Sequence, residues 1–300
     1  MNKYDLIIVG SGPAGLSAGI YAARYNLNFL ILGKLNGGAI SEAHKVCNYP
    51  SQNNINGFEL TQQMVNHLKE LGGEIRGEEV INIEKKENEF IISTNKEKYF
   101  TKKIIFATGR EKQISGIPRE EEFLGKGISY CATCDGAFYK NKIVAVIGGG
   151  NAAITAALLL SEYAKKVYII YRKDNFFRVE PAWLNQLEKE KKIEPIFNSN
   201  VKEILGEDFV EGIILDNNKK LDLNGVFIEI GFKPNEQIPK MLNLKTEKGY
   251  IIIDDQQKTN IDGVFASGDC TNNSLKQVIT ACAEGAIAST KVYEDLKLEK

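Results

Sequence analysis

An apolar run, a glycine-rich turn and a helix-forming stretch occur in that order twice in this chain, and nothing else in it narrows the fold as far. Residues 4–9 are a short β-prone run leading into Gly10-Ser11-Gly12-Pro13-Ala14-Gly15, a helical stretch over 16–25 and a second strand at 29–32. A strand on each side turns a bare GxGxxG match into a dinucleotide-binding signal. Gly10 permits the tight turn, Gly12 lets backbone approach a pyrophosphate, and Gly15 lets helix lie close to strand with helix N–H groups facing the phosphates. The pattern returns over 142–171, where Gly148-Gly149-Gly150-Asn151-Ala152-Ala153 carries alanine in place of the third glycine, still small enough for close packing. The interval from Gly10 to Gly148 is far too long for a solenoid, so one supersecondary unit has been duplicated and two dinucleotides are implied.

Composition then removes some function classes. The uncharged runs 6–23 and 143–160 are long enough to imitate a signal-peptide core or a membrane span. Glycine turns break both, and each reads better as a strand buried on both faces of a parallel sheet followed by a helix. Across 300 residues, 38 basic and 39 acidic side chains are mixed to a net charge of −1, which gives no global field for nucleic acid or an anionic membrane. A small-molecule or protein partner is expected. Five cysteines, two of them spaced CxxC, point to the cytoplasm.

Between the repeats, residues 74–106 alternate apolar and polar and predict a β-meander inserted into the first unit. It closes on Ala107-Thr108-Gly109, a small-residue turn that brings backbone close to a ligand. Residues 109–123 and 231–240, the latter with Pro234 and Pro239, read as the outward and return linkers of an inserted domain. The predicted domains are 1–112 with 241–300, and 113–240. The first resumes through a strand at 263–266, the turn Ser267-Gly268-Asp269 and a helix over 277–296. Neither repeat carries the acid that would hold a ribose hydroxyl after its second strand: Gly33 stands there in the first, and Tyr171-Arg172-Lys173, followed by Phe177-Arg178, in the second. Basic side chains there suit a 2′-phosphate and favour NADPH over NADH.

The pair in Cys131-Ala132-Thr133-Cys134-Asp135-Gly136 has three readings. Zinc needs about four ligands, and beyond the pair only His44, His67, Cys47, Cys270 and Cys282 are available, with no second CxxC. Inert buried thiols fit poorly beside Asp135-Gly136 and a nucleotide turn. A dithiol that cycles with a disulfide fits best. Cys47, Cys270 and Cys282 read as small buried hydrophobes, His44 as solvated or structural, and Trp183 as a packing residue of a helix after Pro181.

Taken together, the CATC motif directly before the second glycine turn, Gly10 to Gly15, Ala107-Thr108-Gly109, Gly148 to Ala153 and Ser267-Gly268-Asp269 resemble the low-molecular-weight bacterial thioredoxin reductases, in order and through nearly the whole chain. The resemblance implies an α/β fold of two Rossmann-like three-layer ββα dinucleotide-binding domains, the second inserted into the first, in a homodimer. It implies FAD in the first domain, and NADPH with the redox disulfide in the second. Carried over by position, Cys134 is the flavin-side sulfur, Cys131 attacks the disulfide of thioredoxin or a similar small redox protein, and Asp135 moves protons. Asp269 contacts the ribityl and phosphate region, and Lys276-Gln277-Val278 lies near the flavin ring, with Lys276 where the family has arginine. Gly33, Gly38, Ala39, Ile40, Asn48 and Gly268 complete the implied flavin site, and Gly148, Gly150, Asn151, Ala152, Ala153, Arg172, Lys173 and Arg178 the NADPH site. Departures cluster at the donor end: Thr155-Ala156 replace paired glutamates, Tyr171 replaces histidine, an extra residue precedes Phe177-Arg178, and Ala39 replaces glutamine. They leave open ferredoxin, NADH or another donor, and a flavin redox sensor or binding module without rapid turnover is the rival reading from a different class. Disulfide and nicotinamide share one domain yet both must reach one flavin, which implies rotation about the two linkers.

Overall fold

The computed structural model describes residues 2–177 and 179–299, so Arg178 lies outside the described residues. The chain divides into two compact units, residues 1–111 with 233–300 and residues 112–232. The first unit opens with β1 (Lys3–Val9), α1 (Pro13–Arg24) and β2 (Phe29–Leu32). Gly12 and Pro13 start α1, since proline lacks only an N–H that the first turn leaves unpaired. Asn26, at φ 53°, ends it. Then come α2 (Gly57–Glu70), capped by the Asn56 side chain on the Glu59 N–H, and β3 (Ile75–Arg76). The meander follows as β4 (Val80–Lys86), β5 (Glu89–Thr94) and β6 (Lys98–Phe106). β3, β2, β1 and β6 run parallel, while β4, β5 and the start of β6 pair antiparallel.

Strand parity divides the core. Leu6, Ile8, Ile31 and Ile105 pack on α1 and α2, whereas Ile7, Val9, Leu30, Leu32, Ile104 and Phe106 pack on Ile83, Phe90, Ile92 and Tyr99 of the meander. Alternation on a strand sends successive side chains to opposite faces, so a run that is apolar throughout needs cover on both.

A short strand, β7 (Arg110–Lys112), leads into the second unit. There β8 (Ile128–Ser129) precedes α3 (Ala132–Asp135), and β9 (Ile143–Ile147), α4 (Asn151–Tyr163) and β10 (Lys166–Ile170) form the repeat. After α5 (Pro181–Leu187) come β11 (Ile193–Ile196), the antiparallel trio β12 (Val201–Leu205), β13 (Gly212–Leu215) and β14 (Lys220–Asp222), and β15 (Gly225–Ile228). The parallel sheet has the order β11-β10-β9-β15-β8. Val144 and Val146 face α4, while Ala145 faces the trio through Ile204, Ile213 and Leu215. Each unit is thus helix, parallel sheet and antiparallel β-layer.

The return passes through β16 (Phe232–Pro234), which pairs with β7, and α6 (Gln237–Met241). Ile238, Leu242 and Leu244 are in the core of the first unit, so the second crossing falls before Lys240, earlier than the proline spacing suggested. Pro239 is buried within α6 rather than in a linker. A hairpin, β17 (Thr246–Glu247) with β18 (Tyr250–Ile251), precedes β19 (Val264–Ala266), which lies parallel to the end of β6. α7 (Val278–Leu298) closes the unit, with a capping box between Gln277 and Thr280.

Candidate active site

Cys131 and Cys134 form a disulfide at the start of α3, at the end of β8. Cys131 holds the cap position: the Cys134 N–H donates to its Sγ at 3.1 Å, and its own N–H donates to Ser129 Oγ at 2.9 Å. A backbone N–H aimed at a sulfur stabilises that sulfur as a thiolate. Cys131 is half-buried and Cys134 exposed. Gly136 packs its Cα toward Leu160 of α4, where a Cβ would come within 3.2 Å of Leu160 Cδ2, and this fixes the motif to the second repeat. Burial, and then the Asp135 carboxylate, push the Tyr139 phenol up.

The glycine turn behind that disulfide is tightly built. A Cβ on Gly148 would lie 2.2 Å from the Glu229 carbonyl oxygen and 2.9 Å from Ala153 Cβ, so both small residues are required. Gly150 is open, with only Phe177 O at 3.8 Å from a hypothetical Cβ, and α4 has no side-chain cap, which leaves its first N–H groups for an anion. Ala152 is exposed. Asn151 exchanges two hydrogen bonds with Glu180, donating from Nδ2 at 3.0 Å and accepting the Glu180 N–H at 2.8 Å. Arg172 and Lys173 are exposed, the Lys173 ammonium lying 4.6 Å from the Phe177 ring centroid.

In the first unit three loops meet the start of α1. Gly10, at φ 117°, could carry no Cβ, which would lie 2.1 Å from Ala107 O. A Cβ on Gly15 would sit 1.9 Å from Gly10 O. Gly12 is different: its nearest neighbours to a Cβ are Gly38 Cα at 3.8 Å and Gly37 O at 3.9 Å, an open cradle backed by the short turn Gly38–Glu42 that contains Ala39 and Ile40. Ser11 Oγ donates to Leu35 O at 2.8 Å, and a Cβ on Gly33 would collide with that hydroxyl. Gly268 approaches Ala14, and Asp269 is held by Arg110, whose Nε and Nη2 donate to Oδ2 at 2.9 and 2.7 Å. Asn48 Nδ2 donates to Gln277 Oε1 at 3.0 Å, so the loop around Asn48 and the cap of α7 are joined; Val278, the first residue of α7, is buried. The Lys276 ammonium donates to Thr271 O and lies 4.7 Å from the Tyr250 centroid; burial pushes its pKa down. Thr108 and Gly109 are partly exposed beside Arg110.

Two residues of this site are absent from the sequence reading. Arg110 directly follows the Ala107-Thr108-Gly109 turn. Glu284, buried at 6% exposure in α7, accepts the Gly268 N–H at 2.6 Å; burial pushes its carboxyl up. An acid isolated in the stretch Ala281-Cys282-Ala283-Glu284-Gly285-Ala286 was the available signal. An uncapped α1, an open Gly12 and the buried Ser267 Oγ, which has no partner among the described residues, fit a bound dinucleotide.

One cysteine expectation needs correction: Cys47 is exposed, not buried, because it lies on a loop between Val46 and Asn48 whose core contact is made by Val46. Cys270 is buried against Phe106 O and Ser267 O, and burial pushes the half-buried Cys282 thiol up to about 11. His44 is exposed, and Trp183 packs on the core of the second unit. Among the described residues no group of three or more His, Cys, Asp or Glu could hold a metal ion, and no helix is long and apolar enough to cross a membrane.

Residues 4–285 match the family model described as pyridine nucleotide-disulphide oxidoreductase. A thioredoxin reductase of Mycoplasma pneumoniae is 41% identical over 301 residues, covering 98% of this chain and 95% of its own length. Among solved structures, T. acidophilum thioredoxin reductase matches with a TM-score of 0.93 at 37% identity, covering 99% of this chain and 100% of its own. Lactococcus lactis thioredoxin reductase matches at 0.92 and 36%, covering 97% and 98%. With its two nucleotide-type turns, its cysteine pair and these full-length matches, the chain belongs to the pyridine nucleotide-disulphide oxidoreductase family.

Proposed function

We propose that this chain is an FAD-dependent thioredoxin reductase that passes two electrons from NADPH through the Cys131–Cys134 disulfide to oxidised thioredoxin. The observation that carries this reading is the disulfide itself, seated at the start of α3 immediately ahead of the second glycine turn. FAD, held by Gly10 to Gly15, Gly38, Asp269 and the segment Lys276 to Val278, supplies the conversion of a hydride's electron pair into dithiol chemistry. Gly148 to Ala153 would cradle the nicotinamide dinucleotide, with Arg172, Lys173 and Arg178 as candidates for its 2′-phosphate.

The remaining steps belong to the chain's own sulfurs. In the reduced pair, Cys131 is the attacking thiolate; the Cys134 N–H that donates to its Sγ in the disulfide would stabilise that charge if the contact is kept on reduction. It bonds to one sulfur of the partner's disulfide and expels the other as a thiolate. Cys134, deprotonated, then attacks Cys131 Sγ, restoring the Cys131–Cys134 bond and releasing the second partner sulfur. Two electrons leave the pair and the partner gains two thiols, with Asp135 the candidate proton carrier at the motif. Thioredoxin's potential of about −270 mV requires a strongly reducing donor, which a reduced nicotinamide satisfies.

Anaerobic titration of the purified flavoprotein with NADPH tests both cofactors: stoichiometric bleaching of the flavin band is expected. Cys131→Ser should abolish thioredoxin reduction and leave flavin bleaching intact; unchanged reductase activity would reject the assignment. A second reading, with ferredoxin as donor, is supported by the Tyr171 ring packed against Gly149 of the second turn, and parallel titrations with NADPH, NADH and reduced ferredoxin separate the two.

A further inference from the structure

The two glycine turns are built oppositely at one pair of positions. In the first, Ser11 sits between the leading glycines and Gly33 follows β2; a Cβ on Gly33 would lie 2.4 Å from Ser11 Oγ, so the turn residue fills the gap. In the second, Gly149 and Tyr171 hold those places, and a Cβ on Gly149 would lie 2.5 Å from Tyr171 Cδ1, Cδ2 and Cε1 alike. Equal distances to three ring atoms set the face of the ring against Gly149. Tyr171 in turn stacks on Phe176, with centroids 6.5 Å apart at 17°, and Phe176 meets Phe197 edge-on at 4.9 Å and 65°. Backbone bonds pin this column: Phe177 N–H to Gly149 O at 2.8 Å and Ser199 N–H to Tyr171 O at 3.1 Å.

The residue after the second strand is where this type of unit places the acid that holds a ribose hydroxyl. Here an aromatic column stands in that place. Resting on the reading of the second turn as a nicotinamide dinucleotide seat, we propose that Tyr171 limits the affinity of that seat: its ring closes the ribose end of the turn, and a dinucleotide seats only by displacing it from Gly149. Gly148, Gly150 and the first N–H groups of α4 remain able to take the pyrophosphate. Affinity is therefore lowered for both nicotinamide dinucleotides, by the packing that must be broken, and the column does not itself sense the 2′-phosphate.

The test uses the full-length, FAD-loaded chain and calorimetric titration with the redox-silent ligands NADP⁺ and NAD⁺. Tyr171→Gly copies the residue at the matching place of the first turn, and Tyr171→Phe keeps the ring. Y171F should bind as wild type, and Y171G should bind both ligands up to about tenfold tighter, the size of one aromatic contact. Phe176→Leu, which loosens the column from its outer side and leaves Tyr171 in place, should tighten binding in the same direction and serves if Y171G does not fold. Binding by Y171G or F176L no tighter than by Y171F, at unchanged flavin content and thermal midpoint, overturns the inference. Tight wild-type binding lost in Y171G overturns it too, while keeping the second turn as a nucleotide seat. No binding by any of the four proteins removes the seat itself, and the inference with it.

Discussion

Glu284 is the only acid between Val278 and Tyr293, and it is buried with its Oε2 accepting the Gly268 N–H. Glu284→Ala leaves that N–H without its acceptor and should cost about 1–3 kcal/mol, read as a lower urea midpoint. Glu284→Gln keeps an acceptor and gives the sign of the pH dependence. Burial raises the carboxyl above its ordinary 4.5, against the smaller opposing pulls of Asn273, the Gly268 N–H and Lys276, while Asp269 adds to the rise. A raised folded pKa means stabilisation fully present below about 4.5 and lost as pH rises through the folded value. The midpoint of E284Q relative to wild type should therefore rise between pH 4 and 7; a flat difference would count against a carboxyl held up by burial. The turn that carries Asp269 was legible, because Ser-Gly-Asp after a strand is a local pattern. Its partner Arg110 was not, because the bond spans 159 positions and an arginine's reach has no sequence signature. Cys47 shows the same limit from the other side: exposure depends on which neighbour the loop turns inward, and that was Val46.

At the scale of elements, α1 and α7 approach so closely that a Cβ on Gly285 would lie 2.1 Å from Ala14 O, a backbone atom that no rotamer change can move. Gly285→Ala should lower the thermal midpoint, by overpacking worth about 1–3 kcal/mol or more. Gly12→Ala meets nothing nearer than 3.8 Å and should fold as wild type while retaining less of the proposed FAD on purification. If G12A lost stability as G285A does, the space beside Gly12 would not be ligand space. These elements were the readable part of the fold. The two strand–turn–helix repeats declared themselves through glycine spacing and continuous apolar runs, and Phe29–Leu32 was located to the residue. The trio β12, β13 and β14 was not read, being short strands of three to five residues whose pairing is fixed by the sheet they cover. Pro234 and Pro239 looked like linker punctuation because proline marks a break equally well in an edge strand and in a short helix.

For the molecule as a whole, the informative feature is that the second unit leaves and returns through paired strands, β7 and β16, with the Gln113 N–H donating to Gly231 O at 3.1 Å. Its two ends are neighbours and it has its own two-sided core. Residues 112–232 expressed alone should fold cooperatively and carry a Cys131–Cys134 disulfide that titrates against glutathione; a fragment without a cooperative transition would show that this core depends on the rest of the chain. The opposed fillings of the two glycine turns bear on how such a doubled chain can change over time. Going from serine facing glycine to glycine facing tyrosine by single replacements passes through a pair that is empty on both sides or bulky on both. A bulky pair collides and an empty pair only leaves a hole, so the passable historical route runs through glycine at both sites, at a moment when that turn was at its loosest.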